Sequence, residues 1–232
     1  MRFNATTALV SSKVLLVPYE PHHVKTYSAW MEDEDIREAT ASERLTLIEE
    51  YEMQRKWRED ADKLTFIVCL PPATPGSPVD DSPARMIGDV NLFLYLEDSE
   101  TEVDASGEAR QVAVGEIEIM VAEKAHRGRG LGRGALLLFL AYVLVHQGEI
   151  MEQWGQPGVG VLEALRVKIG SGNERSLKLF ESVGFVKKSE VESYFGEFEL
   201  VLRDMGVEGM ERRVGEFGME GWREVVYGAG AV

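Results

Sequence analysis

Apolar and polar residues alternate along the first half of this chain in a way that predicts a strand-rich fold. Runs of β-branched and other apolar residues predict three strands, at residues 13–19, 64–70 and 86–96. We expect the first of these to open the sheet. Residues that recur on one face predict a helix over 20–31 and a second over 47–59, whose apolar positions are Leu47, Tyr51 and Trp57.

The remainder of the chain carries loop signals and a second set of elements. Four prolines at 71–78 and a polar, acidic stretch at 97–111 predict exposed connections, the second within a hairpin. The elements that follow are a strand, turn and long helix at 115–145, a half-exposed strand at 162–169, a helix capped by Asn173 and ended by Gly184, and a strand near 194–203. Glycines are too frequent beyond Asp204 for a stable isolated helix, so that tail docks through Phe217 and Trp222 or stays mobile.

Composition narrows the class of protein. With 232 residues, 44% of them hydrophobic, the chain suits one domain with extensions, and a net charge of −15 argues against general nucleic-acid binding. The single cysteine, Cys69, lies in an apolar run, which predicts a buried strand residue and a reducing compartment. The longest apolar run, 135–145, is short of the roughly 20 residues that cross a bilayer, so we expect no membrane span. These features predict a soluble cytoplasmic protein, with nuclear entry left open.

The histidines do not indicate a metal site. None of the four, which are His22, His23, His126 and His146, stands at metal-ligand spacing from other donors. We therefore expect no metal.

The segment Arg127-Gly-Arg-Gly-Leu-Gly has the composition of a phosphate cradle. Glycine at every second position from Gly128 to Gly134 lets the backbone turn tightly and expose its N–H groups to an anion. The long helix that follows points its N-terminus at the same place, which adds partial positive charge. Four basic side chains with no carboxylate between them in the sequence reinforce the site, namely those of Lys124, Arg127, Arg129 and Arg133.

Two motifs together resemble the GNAT superfamily of N-acetyltransferases. Arg127-x-x-Gly130-x-Gly132 matches its pyrophosphate-binding motif, placed between a strand and a long helix, and the segment Asn173 to Phe185 is similar to its second signature. Further segments, among them Lys13–Tyr19, Gly88–Leu94 and Gly115–Val121, look like the N-acetyltransferase-nine-like branch, which is related to bacterial ribosomal-protein alanine acetyltransferases.

The resemblance implies a fold and a domain layout. The fold is α/β (α+β): a twisted, mixed, mostly antiparallel sheet flanked by helices and splayed at a central bulge near 119–121. The acetyltransferase domain would span 1–203, with surface-loop insertions near 72–84 and 97–112, and 204–232 would be a glycine- and glutamate-rich extension.

The resemblance also implies acetyl-CoA as cosubstrate and a protein or peptide amine as acceptor, without nucleic acid or membrane as partners. The implied coenzyme-binding residues are Ile119, Met120, Val121, Arg127, Gly128, Arg129, Gly130, Leu131, Gly132, Arg133, Asn173, Ser176 and Phe180. Backbone groups at 119–121 would hold the pantetheine arm and polarise the thioester carbonyl. The position of Phe180 departs from many family members, where a tyrosine commonly protonates the leaving thiolate, so a water or Ser176 takes that role or the acid step matters little.

Glu116 and Glu118 are the candidate general bases. Residues two apart on a strand point to one face, and this face lies just upstream of the glycine turn. Either glutamate could take the proton of the acceptor amine, directly or through water, and the other would then be a solvated strand residue. Asp89 and Asn91 could contact the ammonium of the acceptor or merely finish a strand. An α-amine, with a pKa of about 7.7–8.0, is more readily neutral than a lysine amine at about 10.4, which favours N-termini as acceptors.

Three other functions compete with amine acetylation as explanations of these motifs. Gly130-x-Gly132-x-x-Ala135 satisfies the loose dinucleotide fingerprint, but no repeating βαβ pattern stands near the N-terminus. A Walker-type loop is excluded, because Gly-Lys-Ser/Thr is absent. The remaining rival is a catalytically weak or inactive acetyl-CoA-binding scaffold that keeps the fold for interaction, for which Phe180 is the supporting sign.

Overall fold

The computed structural model describes residues 1–72, 74, 76–103 and 109–228, with the side chains of 100–103 left aside. Its strands are β1 (Thr7–Val10), β2 (Leu15–Pro18), β3 (Lys63–Cys69), β4 (Met86–Val103), β5 (Ala109–Val121), β6 (Leu162–Gly170), β7 (Phe185–Lys187), β8 (Glu197–Leu202) and β9 (Arg223–Val226). Its helices are α1 (Val24–Trp30), α2 (Glu34–Ala39), α3 (Leu47–Glu59), α4 (Leu131–Val145), α5 (Gln147–Trp154), α6 (Glu174–Ser182) and α7 (Val207–Glu216). Short 3-10 turns precede α1 at Pro21–His23 and α4 at Lys124–His126.

One sheet contains all nine of these strands, in the order β7-β8-β6-β5-β4-β3-β2-β1-β9. Neighbouring strands are antiparallel except β5 and β6, which are parallel. Parallel neighbours need a crossover connection, and α4 with α5 supplies it. This confirms the predicted mixed, mostly antiparallel sheet flanked by helices.

The two faces of the sheet have separate cores. Helix α4, buried from Gly134 to Leu144, packs on the face that carries Leu64, Phe66, Leu92 and Ile117. Helix α1 packs on the opposite face through Val24, Tyr27 and Trp30, together with partly buried residues of α3. The central strands therefore read as nearly continuous buried runs, as strands covered on both faces do.

Several boundaries differ from the predictions. Strand β1 precedes the segment that was expected to open the sheet, and β2 lies inside the sheet between β1 and β3. Much of the predicted exposed connection at 97–111 is strand, because β4 runs to Val103 and β5 starts at Ala109; residues 104–108 of it lie outside the described part of the chain. The three-residue strand β7 was not predicted. The last long strand starts only at Glu197, and Tyr194 and Phe195 are exposed.

Helix α3 has the predicted bounds but not the predicted inward face. Its buried residues are Glu50 and Gln54, whereas Leu47 is exposed and Tyr51 and Trp57 are only partly buried. An apolar stripe normally faces the core. Because Glu50 and Gln54 occupy the inward face of α3 instead, the surface that they pack against is itself polar.

The C-terminal segment is part of the same structure through Gly228. Helix α7 buries Met210 and Val214 in the α4 core, and Met219 is buried beside them. Strand β9 pairs with β1 and becomes the edge of the sheet. Packing thus overcomes the weak helix propensity of this glycine-rich segment, and the docked alternative is the one observed.

Within the described residues, no single helix has the length and apolar character of a membrane span. Helices α4 and α5 reach the threshold only as a pair, and they are bent by 73° at the break between them.

Candidate active site

Strands β5 and β6 separate in the middle of the sheet. Their pairing ends at Glu116 opposite Arg166, after which β5 pairs only with β4 and β6 only with β8. A wedge-shaped gap therefore opens between residues 117–121 and 167–170, which confirms the expected splay. The β4–β5 register has no shift at 119–121; the shift between β5 and β6 lies at Ala113–Val114.

Backbone groups of β5 face this gap. The amides of Ala122 and Glu123 both donate to the carbonyl of Ile87 on β4, at 2.8 and 3.3 Å, a bulge-like arrangement just past the predicted 119–121. Since backbone groups point alternately to the two sides of a strand, those of Ile119 and Val121 point away from β4 into the gap. The backbone of Met120 faces β4 instead, and its side chain is buried against the α1 face.

The first turn of α4 is an uncapped set of amide donors. Gly130 is the N-cap residue, with φ of 79°, and no side chain caps the helix. The first amides, those of Leu131, Gly132 and Arg133, therefore have no intrahelical partner and no side-chain partner at the cap. A Cβ at Gly132 would lie 3.3 Å from Val121 Cγ2, so glycine lets the helix start lie close to the end of β5. Gly128 is also left-handed, with φ of 71°. This geometry fits a diphosphate group.

Most of the basic side chains around the turn already form hydrogen bonds or ion pairs with other residues of the protein. Arg127 donates to the carbonyls of Val121 and Ala122, and Arg133 donates to that of Ser182. Lys124 pairs at 2.8 Å with Asp33, the N-cap residue of α2, so a carboxylate distant in the sequence lies beside this basic group. Arg129 is exposed and contacts His126. Backbone amides, more than cationic side chains, are therefore the groups that this turn offers to an anion.

The second signature segment divides into surface and core residues. Asn173 caps α6 by accepting from the amide of Ser176 at 3.2 Å. Ser176 is partly exposed, whereas Phe180 is only 2% exposed and stacks edge-on against Phe185. The ring of Phe180 therefore lies in the core.

The two candidate bases have different surroundings. Glu116 Oε2 pairs with Arg166 Nε at 2.9 Å and with Lys168 Nζ at 3.3 Å, and its side chain is mostly buried. Both cations thus contact the same carboxylate oxygen. Glu116 therefore anchors the two strands at the point where they part.

Glu118 has no hydrogen bond or ion pair with the part of the chain that the structure describes, and its side chain reaches solvent. Burial of the carboxyl among its neighbours raises its pKa to about 7, and the charges of Asp89 and Glu116 raise it further. A reachable carboxylate with a pKa near neutrality is suited to general-base work.

Four polar side chains of β4 and β5 point to the face of the sheet on which α1 and α3 pack. We call this set the acidic face: Asp89, Asn91, Glu116 and Glu118. Asp89 is 2% exposed and accepts from Tyr27 Oη at 3.3 Å and from Asn91 Nδ2 at 2.9 Å. Burial raises the pKa of Asp89 to about 6, although these hydrogen bonds lower it. Asp89 is thus held inside the protein, while Asn91 stands between it and Glu118.

Sequence reasoning missed the residues that extend the acidic face. Glu50 of α3 is 1% exposed, and burial raises its pKa to about 7. Four buried oxygens on this side have no hydrogen-bond partner among the described residues, those of Tyr19 Oη, Glu50 Oε2, Thr65 Oγ1 and Asn91 Oδ1. The acidic Glu49–Glu50 pair on a helix gave only the signal of a solvated face, because nothing in one sequence shows which carboxylate turns inward.

Comparisons with known proteins identify this arrangement. Residues 13–186 match the model of the family described as an acetyltransferase (GNAT) domain, which is most of the chain. The chain belongs to the GNAT acetyltransferase family. The protein is therefore an acetyl-CoA-dependent N-acetyltransferase, and the resemblance drawn from two motifs is confirmed.

Close relatives of this GNAT protein cover nearly its whole length. It is similar to the alpha/beta-tubulin-N-acetyltransferase 9 of Drosophila melanogaster, with 44% identity over 84% of this chain and 86% of the relative. The protein of the same description from Homo sapiens is 40% identical over 87% of this chain and 86% of the relative. A spermidine N-acetyltransferase from Vibrio cholerae, solved with CoA and spermine, shares the fold with a TM-score of 0.53 at 17% identity, covering 82% of this chain and 94% of that one.

A separate cluster in this GNAT protein has the composition of a metal site. Ligand atoms of His22, His23 and Asp81 lie within 4.8 Å of one another. The amide of Glu20 donates to His23 Nδ1, so Nε2 carries the ring hydrogen and donates to Asp81, where His22 and Tyr227 also bond. The cluster is thus a hydrogen-bond junction that ties the C-terminal segment to the start of α1. His23 is buried.

Proposed function

We propose that this enzyme acetylates the α-amine of a protein acceptor and that Glu118 is its general base. The observation that carries the proposal is the contrast within one strand, where Glu116 is neutralised by two cations and Glu118 is reachable, without a partner among the described residues, and has a pKa near 7. This pKa lies close to that of a protein α-amine, at about 7.7–8.0, and far from that of lysine, at about 10.4.

Acetyl transfer to an amine needs a base for the amine, hydrogen-bond donors for the developing oxyanion and a proton for the leaving thiolate. Glu118 takes one proton from the acceptor ammonium, which leaves a neutral amine. The amides of Ile119 and Val121, which point into the gap, are the donors that we assign to the carbonyl oxygen of the acetyl group as negative charge develops on it. The nitrogen then forms its bond to the acetyl carbon, the carbon–sulfur bond breaks, and the thiolate takes the second proton of the nitrogen. No tyrosine stands at Phe180, and a thiolate from a thiol of pKa about 8.5 is already a fair leaving group.

The names of the relatives support a particular acceptor. Two proteins at 40% and 44% identity are described as alpha/beta-tubulin N-acetyltransferases. We therefore propose tubulin N-termini as the first acceptors to test. A cytoplasmic location, expected from the single buried cysteine, stays a prediction.

The test is acetyl transfer from acetyl-CoA to tubulin and to matched peptides that carry either a free α-amine or a lysine. Mass spectrometry should locate the acetyl group on the α-amine. Glu118→Gln should slow turnover roughly 10²–10⁴-fold while coenzyme binding is kept. Glu116→Gln is the matched control, because it makes the same chemical change at the neighbouring carboxylate.

Two results would contradict the proposal. Tight coenzyme binding with no transfer to any protein amine would favour the scaffold that the presence of Phe180 first suggested. Equal rates in the Glu116→Gln and Glu118→Gln variants would remove Glu118 as the base.

A further inference from the structure

Three polar side chains form a row across strands β3, β4 and β5 of the acidic face. The strand register places Thr65 opposite Asn91, and Asn91 opposite Glu118. Residues directly opposite on antiparallel strands have Cβ atoms roughly 4.5–5.5 Å apart and point to the same face. The row therefore ends at the candidate base and extends inward from it.

Each side chain of the row has an oxygen atom that accepts no hydrogen bond from the described residues. Thr65 and Asn91 are 4% and 3% exposed, and neither Thr65 Oγ1 nor Asn91 Oδ1 has a partner among the described residues. The amide of Asn91 is oriented by its Nδ2 group, which donates to Asp89 Oδ2 at 2.9 Å and so leaves Oδ1 as the unused atom. Buried oxygens without donors are costly, which points to a ligand that supplies the donors.

The charge around the row specifies the ligand. Asp89 lies directly behind Asn91, and Glu118 completes the row, so the potential is negative. A primary ammonium has three N–H donors and no acceptor, which matches three acceptor side chains beside a buried carboxylate. The amine would approach from the Glu118 end, since the Glu118 side chain reaches solvent.

We propose that Thr65, Asn91 and Glu118 bind the acceptor as a primary ammonium ion, with Asp89 orienting Asn91 and supplying charge behind it. This inference rests on the proposed acetylation of a protein amine and adds the residues that select it. Thr65 and Asn91 bind the amine before its proton passes to Glu118, so they act on acceptor affinity and position. A secondary amine or an acetylated N-terminus has fewer N–H donors and would leave acceptors of the row unpaired.

The test compares two probes on the CoA-loaded protein, which cannot turn over. One is a short peptide with the tubulin N-terminus, and the other is the same peptide with its α-amine replaced by hydrogen. We expect the wild-type protein to bind the amine peptide at least about tenfold more tightly. Thr65→Val and Asn91→Leu should each remove most of this preference and raise the acceptor KM, with the KM for acetyl-CoA unchanged.

Stability separates a binding role from a structural one. The Thr65 hydroxyl has no hydrogen-bond partner within the described part of the chain, so Thr65→Val should leave the unfolding temperature unchanged or higher while acceptor affinity falls. Thr6→Val makes the same change at an exposed position and should alter neither property.

The outcomes distinguish this inference from the proposed function. Wild-type protein that binds both peptides equally, or variants that keep the wild-type preference, would overturn the ammonium site and indicate an ordered water in its place. Wild-type protein that binds the coenzyme but acetylates no protein amine would overturn the proposed function. Acetylation by the wild type with an unchanged acceptor KM in both variants would overturn the inference alone.

Discussion

At the scale of single residues, two neighbouring carboxylates of β5 differ in whether cations neutralise them. Glu116 and Glu118 are chemically identical and share one face of β5, yet Arg166 and Lys168 neutralise only Glu116. Burial of the Glu118 carboxyl, with the charges of Asp89 and Glu116 added to it, raises its pKa to about 7. The position of β6 decides the difference, because both cations come from that strand.

The pH dependence of the rate should report Glu118. A base must be deprotonated to act, so kcat/KM for an amine peptide should fall as the pH drops through about 7, by up to about tenfold per pH unit. The Glu118→Gln variant should lack this acidic limb. Rates measured from pH 5.5 to 9 check it, and an unchanged limb in the variant would assign the titration to another group.

Glu50 should make the protein less stable at neutral than at acid pH. Its folded pKa of about 7 exceeds the ordinary 4.5, so protonation favours the folded state, and this contribution is lost as the pH rises through 7. Glu50→Gln should therefore raise the free energy of unfolding at pH 8 by roughly 1–3 kcal/mol, with the gain vanishing near pH 4.5. Denaturant unfolding at both pH values measures it. Glu52→Gln, exposed on the same helix, is the control, and an equal gain there would contradict the assignment.

At the scale of elements, the start of α4 works because it has no cap. Serine, threonine, aspartate or asparagine would normally satisfy the first amides of a helix. Gly130 leaves them without a side-chain cap, and its φ of 79° directs the chain so that the helix start lies beside the end of β5. The phosphate groups of the coenzyme can then serve as the cap.

Gly130→Asp should abolish the protection that acetyl-CoA gives against heat unfolding. The new carboxylate would cap the amides itself and repel the diphosphate. Gly130→Asn has the same shape and the same left-handed backbone to adopt without the charge, so it should retain more protection than the aspartate variant. Thermal shifts with and without acetyl-CoA measure both, and full protection of Gly130→Asp would refute the amide cradle.

At the scale of the whole molecule, the C-terminal segment completes the structure on two sides. Helix α7 covers α4, β9 covers the edge of β1, and Tyr227 donates to Asp81 at the junction with His22 and His23. Phe217 lies under both Lys13 and Arg133, which brings this segment to the start of α4. The segment therefore supports α4 beside its uncapped first turn.

Met210→Ala should test that support. Met210 is fully buried between α7 and the α4 core, and truncation of a buried methionine costs about 2–5 kcal/mol. We expect a loss in the free energy of unfolding of that order, measured by denaturant titration. Val226→Ala, at a site that is 72% exposed, should cost far less. Equal small effects would mean that α7 contributes no stability.

The local sequence determined the elements and the chemistry of the coenzyme turn. The bounds of α3, the buried strand of Cys69, the left-handed Gly130 and the Asn173 cap all depend on neighbours within a few residues, so one sequence contains the signal. Pairing of two spaced motifs was enough to indicate the family. The arms of the β4–β5 hairpin were missed because polar residues form strands when a partner strand satisfies their backbone.

Only the tertiary structure decided which polar residues belong to the acceptor site. Thr65, Asn91 and Glu118 lie on three strands and meet through register, and Glu50 turns inward because α3 packs over a polar surface. Arg166 and Lys168 approach Glu116 because β6 parts from β5 only after Arg166. Strand pairing and burial act between residues distant in sequence. The identity of a residue therefore does not show whether its carboxylate is buried or solvated in the folded protein.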